Sequence, residues 1–590
     1  MVKRFLVTTA LEETWPEEDQ PVLFLGEWCR LYSRKERWSI MNAEVLPYHW
    51  DNRKKLYRDY QYLKGLYEQM LGSLTEQLNE IHNVDHSLRY WRILIGPWLG
   101  YFIQMLFDRW SSIEQALNSY EIEETTILDC PPESLVSQGM WDFQDYLISD
   151  PWNHHLYAEI LQRVGKMSFQ RLQAKPFKPR NSNSSSMQPI NKRFLNTMAK
   201  QIFQAISFFE NNDDAFFIST YLPYKMQWEL DRKLKQLPQL RQRIPAPNVL
   251  PDLNQRRWSL GLSSISEFEE LAEELIPQII PSLYLEGYHS LVELTHQIGW
   301  PQNPKLIWTS NSYNSDDVFK AWAAEKIEAG SPLVIGQHGG HYGTGLWSFI
   351  EEHEIAISDR YFSWGWDEPE KPKVQPVGQI KHKIPLGVNH AEQSGLLLVT
   401  STMPRYSYHM YSTLVSSQWL DYLEDQFTFT ENLLPVIQNE LTVRLYINDY
   451  GWDQEKRWRD RFPNVALDLG KKNINELISG SRLYVSTYNA ATYLESFTMN
   501  VPTVIFWNPN HWELRESALP YFNKLKEVGV LHETPESAAR HIELIWDDLD
   551  GWWSNIKVKN AVQQFCARFA YISPNITDII HKEILDIVRS

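Results

Sequence analysis

The chain has 590 residues, 43% hydrophobic and 22% charged, long enough for about four domain-equivalents or for two large lobes with insertions. Lys and Arg number 57 against 74 Asp and Glu, a formal net charge of −17, and so acidic a surface excludes nucleic acid as the main partner. The three cysteines, Cys29, Cys130 and Cys566, lie far apart with no CxxC pair, which excludes a disulfide framework and a cysteine zinc site and points to a reducing, cytoplasmic compartment.

The amino terminus has too short an apolar run for a signal peptide and reads as a first strand, Phe5–Thr9. Further short apolar strands follow at Val22–Leu25, Thr125–Leu128, Phe216–Ser219, Lys305–Thr309 and Leu333–Gly336. Between them lie long helical insertions. From Asp51, a candidate N-cap, to Asn83, apolar residues recur every three or four positions, the pattern of one helix face packed in a hairpin or, alternatively, in an oligomer seam. Ile93–Phe107 is the longest apolar stretch. It is too short to span a membrane and reads as a buried helix starting at Pro97, with peripheral contact at the inner membrane as the alternative. Lys175–Lys192 holds a Ser/Asn run between prolines and reads as a linker or surface loop, and Leu237–Leu253 is Pro-rich and irregular.

After a Lys/Pro-rich stretch, Pro369–Pro385, strands and helices alternate regularly. Strands are expected at Leu396–Thr400, Val443–Ile447, Val465–Leu467, Leu483–Ser486 and Thr503–Phe506, and helices at Tyr408–Asp425, Glu455–Arg461, Asn475–Ile478 and Thr492–Met499. Continuous apolar strands alternating with helices imply a parallel sheet covered on both faces, with ligands at the strands' carboxyl ends. The predicted fold is therefore α/β with two Rossmann-like lobes facing a cleft. The N-terminal, acceptor-side lobe spans 1–375, with helical insertions at about 45–120 and 150–300, and the C-terminal lobe spans 390–590.

The segment from Leu483 to Phe506 carries the clearest chemistry. A buried strand ends in Ser486 and Thr487, and a short loop through Asn489 opens a helix near Ala491, whose free N–H groups suit a phosphate. Thr492 and Glu495 stand in the first turn or so of that helix. Glu495 is placed to accept hydrogen bonds from ribose hydroxyls, or, with Thr492, simply to cap the helix.

This segment resembles the nucleotide-sugar motif of GT-B glycosyltransferases. Nearly the whole chain resembles the large transferases encoded in bacterial surface-carbohydrate (O-antigen, lipopolysaccharide) gene clusters. The stretches that carry the likeness are Leu25–Trp28, Leu46–Trp50, Tyr90–Trp98, Gln337–Gly343, Ser358–Gly365 and Ser486–Asn489. The resemblance implies a GT-B-like, metal-independent glycosyltransferase. It would take a nucleotide sugar as donor substrate, need no cofactor, and act on a surface glycan or lipid-linked acceptor.

Gln337-His-Gly-Gly-His-Tyr-Gly343 places two imidazoles, His338 and His341, in a glycine-rich loop after a strand, where a base could take a proton from an acceptor hydroxyl. Its likeness to a His-Gly loop in glycerophosphate-polymerising transferases favours His338. Glu351–Glu354 and Asp359 add carboxylates that could orient a histidine or act as base. A metal site from His338, His341, His353 and Glu354 matches no standard spacing. By the GT-B likeness Arg405, after the first strand of the second lobe, faces the cleft and neutralises the leaving nucleotide, with Lys320 and Arg360 as weaker candidates. Glu27 and Trp28 are placed on the acceptor side. Asp548-Leu-Asp550 mimics a metal-binding DxD but falls in a carboxyl-terminal helix. The rival readings are a CDP-alditol phosphotransferase, a nucleotide-sugar epimerase or hydrolase, and a non-catalytic nucleotide-binding scaffold.

Overall fold

The computed structural model describes residues 2–17, 20–174, 211–238, 241, 243–263, 266–381 and 393–589. The expected linker at 175–192 and most of the boundary at 375–395 lie outside these residues.

Three parallel sheets organise the chain. The first holds β1 (Lys3–Val7), β2 (Val22–Phe24), β3 (Ala43–Val45), β4 (Glu121–Asp129) and β5 (Ser168–Gln173) in the order β3-β2-β1-β4-β5. The second holds β6 (Phe216–Ile218), β7 (Ile307–Thr309), β8 (Leu333–Gly336), β9 (Arg360–Ser363) and β10 (Val374–Pro376) in sequential order. The third holds β11 (Leu396–Val399), β12 (Leu441–Arg444), β13 (Ala466–Asp468), β14 (Leu483–Ser486), β15 (Thr503–Phe506) and β16 (Leu531–His532) in the order β13-β12-β11-β14-β15-β16. The α/β class with parallel sheets and large helical insertions is as expected. The stretch read as a single N-terminal lobe carries two sheets, a division that strand periodicity cannot reveal.

The central strands β8, β11, β14 and β15 are buried at every residue, as parallel strands covered on both faces must be. In the third sheet the strand order reverses between β11 and β14, the topological switch point at which doubly wound sheets bind ligands.

The helices Arg53–His82 and Leu88–Ser119 form the expected hairpin, with Asn52 rather than Asp51 capping the first through Lys55 N. The second is capped by Ser87, so Pro97 lies inside the helix rather than at its start. Every residue from Ile93 to Phe107 is buried, so this stretch has no face for a membrane, and burial on all sides outweighs the hydrogen bond Pro97 cannot donate. Among the described residues no helix is long and apolar enough to cross a membrane. The helix expected at Tyr408–Asp425 is instead Gln418–Glu431. The preceding loop follows the helical hairpin, where Met410 N donates to Gln104 Oε1 (2.6 Å) and Tyr408 packs on Tyr101.

Candidate functional site

The second and third sheets meet through the loops at their carboxyl ends. The loop after β8 runs from Gln337 to Gly345, and the loop after β14 leads into the helix Ala491–Thr498. A Cβ built on Gly340 would lie 2.5 Å from the carbonyl carbon and oxygen of Ala490, so only glycine permits this contact. Asn489 Nδ2 donates to Thr344 Oγ1 across the same junction (3.0 Å). The histidine loop therefore rests on the amino terminus of the helix singled out from sequence. Ala490, its N-cap, offers no side-chain cap, so the backbone N–H groups of the first turn keep their donor capacity.

Gln337 fixes the loop. Its Oε1 accepts from Trp364 N (2.9 Å) and Trp366 Nε1 (2.8 Å), while its Nε2 donates to Gly339 O (2.8 Å). Beyond it, His338 Nδ1 lies 3.5 Å from Glu354 Oε1, and His338 Nε2 lies 3.2 Å from the Tyr342 hydroxyl. That hydroxyl donates to the same Glu354 oxygen (2.9 Å), joined by the hydroxyl of Tyr313. Nδ1 thus faces the buried carboxyl, while Nε2 donates to the Tyr342 oxygen, whose own proton goes to Glu354, so a hydroxyl in the cleft meets Nε2 by exchanging with Tyr342.

Glu354 is fully buried, and burial pushes its carboxyl up to about 8 against the pull of the tyrosine donors. Burial, with Lys381 and His341 adding to it, pushes His338 down to about 3. At neutral pH the pair therefore holds its one proton on Glu354 and leaves the imidazole neutral. His341 lies against Tyr342 and Tyr411 at ring distances of 4.2 and 5.1 Å, and burial pushes it down to about 4.

Lys381, in the Lys/Pro-rich stretch before the second lobe, donates to His338 O (2.7 Å); burial raises the Glu495 carboxyl above its usual range, and the Lys381 charge opposes that rise. Among the described residues no hydrogen bond reaches the Glu495 carboxylate. The hydroxyls nearby are committed: Ser486 to Tyr488 O (3.2 Å), Thr487 to Val399 O (2.9 Å), and Thr492 to Tyr488 and Tyr484. Asn489 also accepts from Tyr493. At the switch point the buried Thr402 Oγ1 has no partner among the described residues, a feature no sequence signal announced.

Other candidates lie elsewhere. Arg405 is buried between the first and third sheets, where it pairs with Asp150 (2.5 Å) and donates to Trp28 O and Tyr450 O. It has no charge to spare for a leaving group. Trp28 is 1% exposed with its indole N–H on Thr8 O, and Glu27 is paired with Arg30, so neither lines the cleft. Asp359 sits at the opposite end of the second sheet, accepting from Leu333 N and Arg89, both at 2.7 Å. Arg360 starts β9 at that same far end, and Lys320 is buried on Asp317 and Tyr284. Asp548 caps its helix through Gly551 N. Among the described residues no group of three or more His, Cys, Asp or Glu is arranged to hold a metal ion.

A family model described as "LIC12162 family transferase" matches residues 4–584. No curated protein matches. Among solved structures, the wall teichoic acid polymerase TagF is similar at 11% identity and a TM-score of 0.31, over 51% of this chain and 84% of that one. Acinetobacter baumannii MurG is similar at 12% identity and a TM-score of 0.30, over 51% and 78%. The S. aureus MnaA–UDP structure gives 11% and 0.30, over 52% and 80%. Likenesses this slight carry no function to this chain.

Proposed function

The chain belongs to the LIC12162 family of transferases, and on that premise we propose that it moves a sugar from a nucleotide-activated donor to a hydroxyl of a bacterial surface glycan or lipid-linked acceptor in the cytoplasm. The observation that carries this reading is the seat of the histidine loop, through Gly340, on the uncapped helix after β14. It brings a proton acceptor and an anion-binding helix terminus to one junction beside the switch point.

In this reading the first turn of the helix and Lys381 receive the donor's phosphates, and Glu495 accepts from the ribose. With Glu354 ionised the ring proton sits on Nδ1, facing it, and His338 takes the acceptor's proton at Nε2 once the hydroxyl displaces Tyr342. Glu354, once ionised, stabilises the imidazolium from the Nδ1 side, and the helix dipole favours departure of the nucleotide without a divalent ion. Arg405 has no part.

A thermal-shift screen with CMP, CDP, UDP, GDP and dTDP in EDTA tests the donor site. A nucleotide at 100 times its dissociation constant stabilises by about 2.7 kcal/mol, and Glu495→Ala, binding at least about tenfold more weakly, should keep no more than about half of that shift. No shift with any nucleotide sinks the donor-site reading.

A further inference from the structure

The amino ends of the second sheet gather cations. Lys305 stands two residues before β7, Arg360 opens β9, and Lys373 immediately precedes β10. Tyr361 N donates to Lys373 O (2.8 Å), which holds the Lys373 backbone beside Arg360. Neighbouring strands lie about 4.8 Å apart, so long side chains from this edge can reach one space. All three line a single open pocket of about 690 Å³, with Pro304, Pro332 and Val588 on its wall. The histidine loop lies at the other, carboxyl end of the same sheet.

None of the three cations has a carboxylate partner among the described residues. Arg360 donates to Asp359 O (3.0 Å) and Lys373 to Ser358 O (2.7 Å), while the Lys305 ammonium donates to no described residue. The one carboxylate on the lining, Asp359, accepts at Oδ2 from Arg89 and from Leu333 N, both at 2.7 Å. All three cationic residues are half-buried, where an unmatched charge costs more than in open water. Burial pulls the Lys373 ammonium below its usual range, the Arg89 and Arg360 charges pull it further, and Asp359 opposes them. A chain of net charge −17 has carboxylates to spare, yet it places no second one on this lining. Such a departure from local balance is the mark of a site kept for a ligand.

A carboxylate ligand brings one negative charge, whereas a phosphate monoester brings nearly two and three acceptor oxygens. A planar guanidinium can take two of those oxygens side by side, and the ammonium groups act as point charges on the rest. The pocket falls within the range of about 300–1,000 Å³ typical of small-molecule sites. It therefore leaves room for an organic body along Pro304, Pro332 and Val588, the last 42% exposed. We propose that this pocket binds a phosphate-bearing molecule whose phosphate pairs with Lys305, Arg360 and Lys373. The site is separate from the cleft and does not rest on the transfer reading.

Calorimetric titration of the full chain with pyrophosphate, and co-sedimentation with vesicles of equimolar phosphatidylglycerol and phosphatidylcholine, test this. The two probes separate a free phosphate from a lipid headgroup. Saturable binding of at least one is expected, weakened at least about tenfold when Lys305→Gln, Arg360→Gln and Lys373→Gln are combined, equivalent to about 1.4 kcal/mol. Lys305→Gln alone breaks no hydrogen bond to a described residue, so it should melt as the wild type does and still bind several-fold more weakly. Lys54→Gln, Lys557→Gln and Lys559→Gln combined remove as many exposed charges elsewhere and should leave binding unchanged. Binding of neither probe overturns the site, as does an equal loss in the two triple variants, which marks general charge attraction. Equal binding by all these proteins also overturns it, and leaves the helix after β14 free to be where pyrophosphate sits.

Discussion

Gly340 and Ala490 are in backbone contact across the junction of two sheets, 150 residues apart in sequence, with 2.5 Å between an ideal Gly340 Cβ and the Ala490 carbonyl. The contact lies between main chains, so no side-chain rotation relieves a substitution there. Gly340→Ala should cost about 1–3 kcal/mol of stability and push the histidine loop off the helix terminus, lowering transfer by more than it lowers the melting temperature. Activity assays beside thermal melts check this.

The His338–Glu354 pair predicts the pH profile. The imidazole gains a counter-charge only when Glu354 ionises, so transfer should rise through a limb near pH 8. In Glu354→Gln that limb should vanish and the rate should fall. Stability runs the other way. A carboxyl raised from 4.5 to about 8 on folding favours the native state at low pH, and that contribution is lost as pH climbs through this window. Glu354→Gln removes this one downward contribution, so its melting temperature at pH 8 relative to pH 5 should be higher than that of the wild type.

Arg405 should prove structural. Arg405→Met leaves Asp150 with Tyr406 and the Ala10 amide but no counter-charge, a loss of about 3 kcal/mol by the cost of breaking buried pairs. Asp150→Asn added to it should recover part of that. Nucleotide affinity measured on the folded fraction should be unchanged, whereas a leaving-group role would show as lost affinity or rate at unchanged stability.

Acid should destabilise the protein early. His154, His338, His353 and His409 are each pushed down to about 3 by burial, and His341 to about 4, against 6.5 unfolded. The unfolded chain binds these protons first, so their contribution to stability is full above 6.5 and lost as pH falls toward 3 or 4. Scanning calorimetry between about pH 7 and 5 should show a falling melting temperature, and His353→Leu should shallow the slope.

The third sheet was legible because its strands are continuous apolar runs. Leu483–Ser486, Thr503–Phe506 and, in the second sheet, Leu333–Gly336 have the predicted limits. Periodicity assigns strands but not sheets, so the split of the first 375 residues into two sheets was invisible. The start of the helix expected at Tyr408 is loop because Tyr408 packs on Tyr101 and Met410 N is held by Gln104, both on a helix some 300 residues upstream. The histidine loop and the helix after β14 were found from glycines and small hydroxyls, while Lys381 drew no attention in its Lys/Pro-rich stretch and Arg405 looked like a ligand. The difference lies in partners: Asp150 claims Arg405 from another sheet, and no local pattern records that.

Binding and chemistry separate most directly in calorimetric titrations of the nucleoside diphosphate giving the largest thermal shift, into wild type, His338→Ala and Glu495→Ala. Wild type and His338→Ala should bind with the same affinity, and Glu495→Ala at least about tenfold more weakly, or about 1.4 kcal/mol. Equal affinity in all three proteins, or no binding heat in any, would contradict a donor site on the helix after β14.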